Sequence, residues 1–129
     1  MNRHLKQFAT LFTLIFGSLV PGTSGATDVY PAQPVTVIVA FTPGGTTDLL
    51  TRMVSTRLSE QFGKAFVVEN KPGAGGNIGT EFVVRAKPDG YTLMVNSVGP
   101  IAVNPTLYQN LPFNPITELE PVVQIADVP

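Results

Sequence analysis

Val35 to Phe41 is a nearly continuous apolar run of seven residues, rich in β-branched side chains and bounded by Pro34 and Pro43. A strand that is apolar at successive positions has no face to give to water. It needs a cover on both sides, the condition of a parallel strand inside an α/β fold. The following segments supply such covers. Beyond Pro43-Gly44-Gly45, Leu49, Leu50, Met53, Val54, Leu58 and Phe62 recur at three- and four-residue steps, with Arg52, Arg57 and Glu60 facing away. That spacing predicts an amphipathic helix, ended by Gly63.

A second strand is predicted over Ala65 to Glu69. After the loop Asn70 to Gly76, the residues Ile78, Phe82, Val83 and Ala86 trace the apolar face of another helix. Pro88-Asp89-Gly90 then turns the chain into a third strand, Tyr91 to Val95. A short helical stretch is expected within Ile101 to Tyr108, interrupted at Pro105. The segment Leu111 to Pro115 is turn-like, and Pro121 to Ala126 reads as a fourth strand. Phe62, Phe66 and Phe82 fall at core-facing positions. Strand–helix–strand alternation with short loops implies right-handed crossovers and a doubly wound parallel sheet, with its ligand crevice beyond the carboxyl ends of the strands. No covering helix follows the fourth strand, so the last unit of this lobe is expected to be incomplete.

Residues 1–26 read as a secretory signal peptide. Arg3, His4 and Lys6 precede a mostly apolar run from Phe8 to Val20, Pro21 and Gly22 break it, and Ser24-Gly25-Ala26 offers small residues at cleavage spacing. The run covers 13 positions, whereas crossing a bilayer takes about 20 apolar residues. Cleavage after Ala26 leaves residues 27–129; the loss of Arg3 and Lys6 leaves six basic against nine acidic side chains, a charge of −3. The mature chain is expected to be exported to the periplasm.

Several chemistries are excluded on residue type. A mildly acidic chain has no basic excess to neutralise phosphates, so nucleic acid is not an expected partner. Cysteine is absent, which removes disulfides, thiolate metal ligands and a cysteine nucleophile. The single histidine, His4, leaves with the signal peptide, so no Ser-His-Asp triad or imidazole base can form. Ser97 stands in Asn96-Ser97-Val98-Gly99, but Val95 occupies the first glycine position of a nucleophile elbow, and Ser97 reads as a loop hydroxyl. Asp48, Glu69, Glu81 and Asp89 lack calcium-loop spacing, and neither a metal site nor a cofactor is predicted. Nucleotide binding has little support. In Gly73-Ala74-Gly75-Gly76-Asn77-Ile78-Gly79, Ile78 stands where the dinucleotide fingerprint needs glycine, and Gly63-Lys64 is followed by Ala65 rather than Ser or Thr.

What remains is an anion cradle built from backbone. Pro43-Gly44-Gly45-Thr46-Thr47-Asp48 places two residues without a Cβ at a helix start, where unpaired N–H groups and the positive dipole end face outward. Thr46 or Thr47 is a candidate helix cap. Asp48, in the first turn, is assigned a capping and structural role rather than ligand contact. The alternative is that Gly44-Gly45 only makes a tight strand-to-helix turn. Asn77 offers a side-chain donor or cap at a second helix entrance, where a plain connection is the alternative; Asn96, Ser97 and Gly99 complete the rim. Phe41, at the strand's carboxyl end, is placed to pack against a ligand's carbon skeleton.

The run Tyr30-Pro31-x-x-Pro34, the apolar strand, Pro43-Gly44-Gly45-x-x-Asp48, Val68-Glu69-Asn70-Lys71-Pro72-Gly73-Ala74-Gly75-Gly76-Asn77-Ile78-Gly79, Pro88-Asp89-Gly90-Tyr91-Thr92-Leu93 and Asn104-Pro105-x-Leu107-Tyr108 closely resembles, in order and spacing, the periplasmic solute-binding proteins of tripartite tricarboxylate transporters, the Bug family. The resemblance implies a two-lobed Venus-flytrap receptor that captures small carboxylate-bearing solutes between its lobes and delivers them to membrane permease subunits. It makes the loop from Phe41 to Thr47 (Phe41, Pro43, Gly44, Gly45, Thr46 and Thr47) and the neighbourhood of Ser97 the ligand-facing surface, with Asn77 contributing. It also implies that residues 27–129 are an incomplete N-terminal α/β lobe, the second lobe being absent.

Two other classes of function stay open on sequence alone. One is an exported enzyme acting on a carboxylate substrate, with Asp48 or Glu69 as acid or base and backbone amides as an oxyanion site. The other is a ligand-sensing interaction module.

Overall fold

The computed structural model describes residues 29–127; the signal peptide assigned to residues 1–26 lies outside them. The apolar run forms strand β1, Val35–Val39. Helix α1, Thr46–Phe62, leads to β2, Phe66–Asn70. A tight turn at Ala74–Gly76 opens α2, Asn77–Val84, and β3 spans Thr92–Val95. A wide helical turn at Gly99–Val103 runs into the short helix α3, Asn104–Leu107. The three strands make one parallel sheet in the order β2-β1-β3, in which Val37 of β1 pairs with Val68 on one side and Leu93 on the other.

The strand at the centre of the sheet is the one whose sequence offered no polar face. Val35, Val37 and Phe66 form a buried cluster against which Leu58 of α1 packs, together with Tyr91, Leu93 and Val95. Side chains alternate across a strand, so the even-numbered residues look the other way. There Ala40 meets Gly79 of α2, and a Cβ added at Gly79 would lie 2.8 Å from the Ala40 Cα. The two helices therefore cover opposite faces of the sheet, the α/β arrangement expected for such a strand.

The inward side of each helix overlaps only in part with the one its apolar spacing predicts: Leu50, Val54 and Leu58 of α1, with Val83 of α2 and Ala86 just beyond it, are half-buried. The buried residues of α1 are Asp48, Thr51 and Ser55, while Leu49, Met53 and Phe62 are exposed. In α2 the buried residues are Asn77, Gly79 and Thr80, with Ile78 and Phe82 exposed. Of the three phenylalanines assigned to the core, only Phe66 is buried. Small and polar residues let the helices approach closely, and local bonds satisfy their hydroxyls: Thr51 Oγ1 donates to the Thr47 carbonyl at 2.6 Å and Thr80 Oγ1 to the Gly76 carbonyl at 2.9 Å. Phe82 is not left bare, because the Lys71 ammonium lies 4.2 Å from its ring centre.

Strand limits shift by a residue or two. β1 ends at Val39, whose carbonyl accepts the Lys71 amide at 2.8 Å, and Ala40 and Phe41 leave the ladder. Gly63 closes α1 in the left-handed conformation, its amide donating to the Ser59 carbonyl at 3.0 Å. The fourth strand does not form: residues 121–127 are exposed and pair with no strand among the described residues. Apolar, β-branched content makes a strand only when the segment takes up ladder bonds, and residues 121–127 pair with neither edge strand, β2 or β3.

Candidate functional site

At the first strand-to-helix junction, Gly45 is the N-cap of α1 and makes no side-chain cap bond. Thr46 and Thr47 are the first two helical residues, which corrects the expectation that either caps the helix. The carboxylate of Asp48 folds back over this start. Its Oδ2 accepts the Gly44 amide at 2.9 Å and Arg52 Nε at 3.1 Å, and its Oδ1 accepts Asn70 Nδ2 at 2.9 Å. The Arg52 guanidinium also stands 3.0 Å from Oδ1. The carboxylate is 2% exposed, and its bonds from Arg52, Gly44 and Asn70, in that order, hold its pKa down at about 2. Gly44 turns with φ +87°, a backbone region that L side chains rarely adopt.

Because Asp48 takes the Gly44 amide, the donors left for an outside acceptor are those of the first helical turn, which have no partner inside the helix. They are the amides of Gly45 to Asp48, the Leu49 amide being the first to bond within the helix, to the Gly45 carbonyl; of these residues, Thr46 and Thr47 line a cleft of about 410 Å³. Leu50 continues that wall. Val95, Asn96, Ser97 and Val98 form the second, and Gln124, Ile125, Ala126 and Asp127 the third. The Asn96 side chain shapes the second wall, its Oδ1 accepting the Ser97 amide at 2.9 Å and its Nδ2 donating to Thr80 Oγ1 at 3.0 Å. The Ser97 hydroxyl stays exposed.

The cleft thus joins Thr46, Thr47 and Ser97, three residues singled out from the sequence. Phe41, Pro43, Gly44, Gly45 and Asn77 lie outside its lining. Sequence reasoning missed Leu50, which it placed on the apolar face of the first helix, Val95, which it placed at the end of the third strand, and residues 124–127, which fell at or just beyond the predicted fourth strand. The signal that could have found Leu50 is its place one turn into a helix that starts at the sheet's carboxyl edge. Among the described residues no lysine or arginine lines the cleft, and Asp127 is its one charged side chain. Its chemistry is therefore that of backbone, hydroxyl and side-chain amide groups beside apolar surface, with the Asp127 carboxylate on the third wall.

The second junction is closed by the protein itself. Gly73, Ala74, Gly75 and Gly76 all have positive φ, and the Gly76 amide donates to the Gly73 carbonyl at 2.9 Å. Asn77 is 7% exposed, and its Oδ1 accepts Asn104 Nδ2 at 2.6 Å; the same Nδ2 donates to the Gly75 carbonyl at 3.1 Å. Gly76 is the N-cap of α2 and no side chain caps it, which corrects Asn77 as a cap. Phe41 lies beside this turn, its Cζ 3.4 Å from where a Cβ on Gly76 would stand. For acid–base work, Asp48 is poorly matched: a carboxyl held near pKa 2 does not exchange protons near neutral pH.

The family model described as tripartite tricarboxylate transporter family receptor matches residues 50–129, more than half of the chain. Protein BugT of Bordetella pertussis is 42% identical over 103 residues, covering 79% of this chain and 32% of BugT. A UPF0065 protein of Agrobacterium vitis is 38% identical over 116 residues, covering 90% of this chain and 33% of that relative. The chain therefore spans about a third of the length of these curated relatives. Among solved structures, Rpa4515 of R. palustris with adipate is similar at TM-score 0.66 and 41% identity, over 68% of this chain and 29% of its own. MatC from Rhodopseudomonas palustris with bound malate is similar at TM-score 0.66 and 34% identity, over 69% and 30%.

Proposed function

Since the chain belongs to the tripartite tricarboxylate transporter receptor family, we propose that it supplies the first-lobe wall of a periplasmic receptor for a small organic carboxylate, which is passed to membrane permease subunits. The observation that carries this reading is the cleft at the carboxyl edge of the sheet, where the start of α1 faces Ser97. Amide donors at a helix start replace the water around an anion without a cationic side chain. Leu50, Val95 and Val98 offer apolar contact to a carbon skeleton. The adipate and malate of the R. palustris relatives fit that combination.

Recognition needs no bond chemistry. Closure of a second lobe over the solute would be driven by contacts made only in the closed form, and the permease would read that form. Residues 29–127 supply one side of such an enclosure. The test is a thermal-shift and calorimetric panel of adipate, malate, citrate, aromatic acids and amino acids, run on this chain and on a two-lobed relative, with product analysis. Saturable stabilisation by carboxylates without turnover supports the receptor. Turnover, or indifference of both proteins to every acid, overturns it.

A further inference from the structure

Arg52 and Asn70 lie outside the cleft lining, and both bond to Asp48 behind its first wall. The loop between β1 and α1 contains Gly44 at φ +87° and hangs on two ties, the Gly44 amide to Asp48 at 2.9 Å and the Phe41 carbonyl to Asn70 Nδ2 at 3.1 Å. Asn70 also donates to Asp48, and it accepts from the Arg52 guanidinium at 3.0 Å. The carboxylate, guanidinium and amide thus close a ring joining α1, the loop and the end of β2.

Building on the carboxylate reading, we propose that Arg52 and Asn70 are positioning residues for the anion site. They hold Asp48 where it fixes the loop, so that the first-turn amides at Thr46 and Thr47 stay aimed into the cleft. Arg52 has a second effect. A buried carboxylate in the first turn repels an arriving anion, and a guanidinium touching both of its oxygens cancels that charge in place. Neither residue touches the solute; both act through Asp48 and Gly44.

The test is amide exchange and chemical-shift titration by NMR on the isotope-labelled full chain, with adipate as probe. Arg52→Gln and Asn70→Ala are expected to speed exchange of the Gly44 amide about tenfold and to weaken the adipate response of Thr46 and Thr47 by a similar factor. Arg52→Lys keeps the charge but loses the planar fork, and restores the response only in part. Val37→Ala, a core variant that lowers thermal stability, leaves both readouts at wild-type values. Wild-type Gly44 exchange in Arg52→Gln and Asn70→Ala overturns the proposal, as does full restoration by Arg52→Lys. If the wild-type chain and the two-lobed relative both ignore every acid of the panel while the variants still loosen the loop, the clamp stands and the carboxylate reading falls.

Discussion

The carboxylate of Asp48 and the side-chain amide of Asn70 meet at 2.9 Å, joining the first turn of α1 to the last residue of β2 across 22 positions of sequence. Asn70 is itself paired with Val39 in the ladder, so the contact depends on the register of β1 and β2. A slip of one residue would send Asn70 to the other face of the sheet and leave a buried carboxylate short of a donor.

This contact makes stability depend on acid pH. The folded-state pKa of Asp48, about 2, lies below its ordinary value of 3.8, so in that interval the unfolded chain binds more protons than the folded one. The stabilisation is complete above 3.8 and is lost as pH falls through that value toward 2. Thermal unfolding at stepped pH should show wild type above Asp48→Asn by a constant margin near neutrality, narrowing below about pH 4. A margin unchanged down to the acid limit would refute the assignment.

Gly79→Ala should destabilise the chain although alanine is the better helix former. The new Cβ would stand 2.8 Å from Ala40 Cα and 2.9 Å from the Lys71 carbonyl oxygen, and backbone cannot move aside cheaply. Overpacking of this kind costs about 1–3 kcal/mol, against about 1 kcal/mol gained in helix propensity. Urea denaturation reads the net loss as a lower midpoint.

Thr80→Val tests the support beneath Ser97. Thr80 is fully buried, and its hydroxyl accepts from Asn96 Nδ2 at 3.0 Å while donating to the Gly76 carbonyl at 2.9 Å. The isosteric methyl removes both bonds, for a loss of about 1–3 kcal/mol. Because Asn96 also holds the Ser97 amide, the Ser97 resonance should shift in an NMR spectrum of the variant. A Thr80→Ser variant should restore it.

Thr46→Glu should separate stability from binding. A carboxylate in the first turn complements the helix dipole and leaves the melting temperature unchanged or slightly raised. The same charge stands at the cleft wall and repels an anionic solute, so adipate affinity should fall by about tenfold, and less at high salt. Calorimetry at two salt concentrations checks both parts. Equal affinity in variant and wild type would remove Thr46 from the site.

Most of the element order was legible because its signals are local. The unbroken apolar run of β1, the glycine after α1 and the Pro88-Asp89-Gly90 turn each report on a few neighbouring residues. Helix orientation was legible only in part, with Leu58 correctly placed against the sheet. Spacing pointed Leu49 and Met53 inward, yet α1 buries Asp48, Thr51 and Ser55, because the contacts of Asp48 with Asn70 and the close approach to the sheet outweigh a weakly segregated apolar stripe. The site was half legible for a related reason. A glycine pair before a helix marks a backbone able to offer amides, and Thr46 and Thr47 do line the cleft; the side chain that takes the Gly44 amide is visible only in three dimensions.

By itself the sequence determined an α/β chain with a two-sided central strand and strand-to-helix junctions built from glycine and threonine, since each follows from residue type and short-range spacing. Tertiary structure alone decided which junction stays open. The second is filled by Asn104, a side chain 27 positions beyond Asn77, whereas at the first Thr46 and Thr47 line a cleft whose other walls come from the end of β3 and residues 124–127. Free and satisfied amides look identical in a sequence, because what distinguishes them is a partner brought from elsewhere by the packing of the sheet.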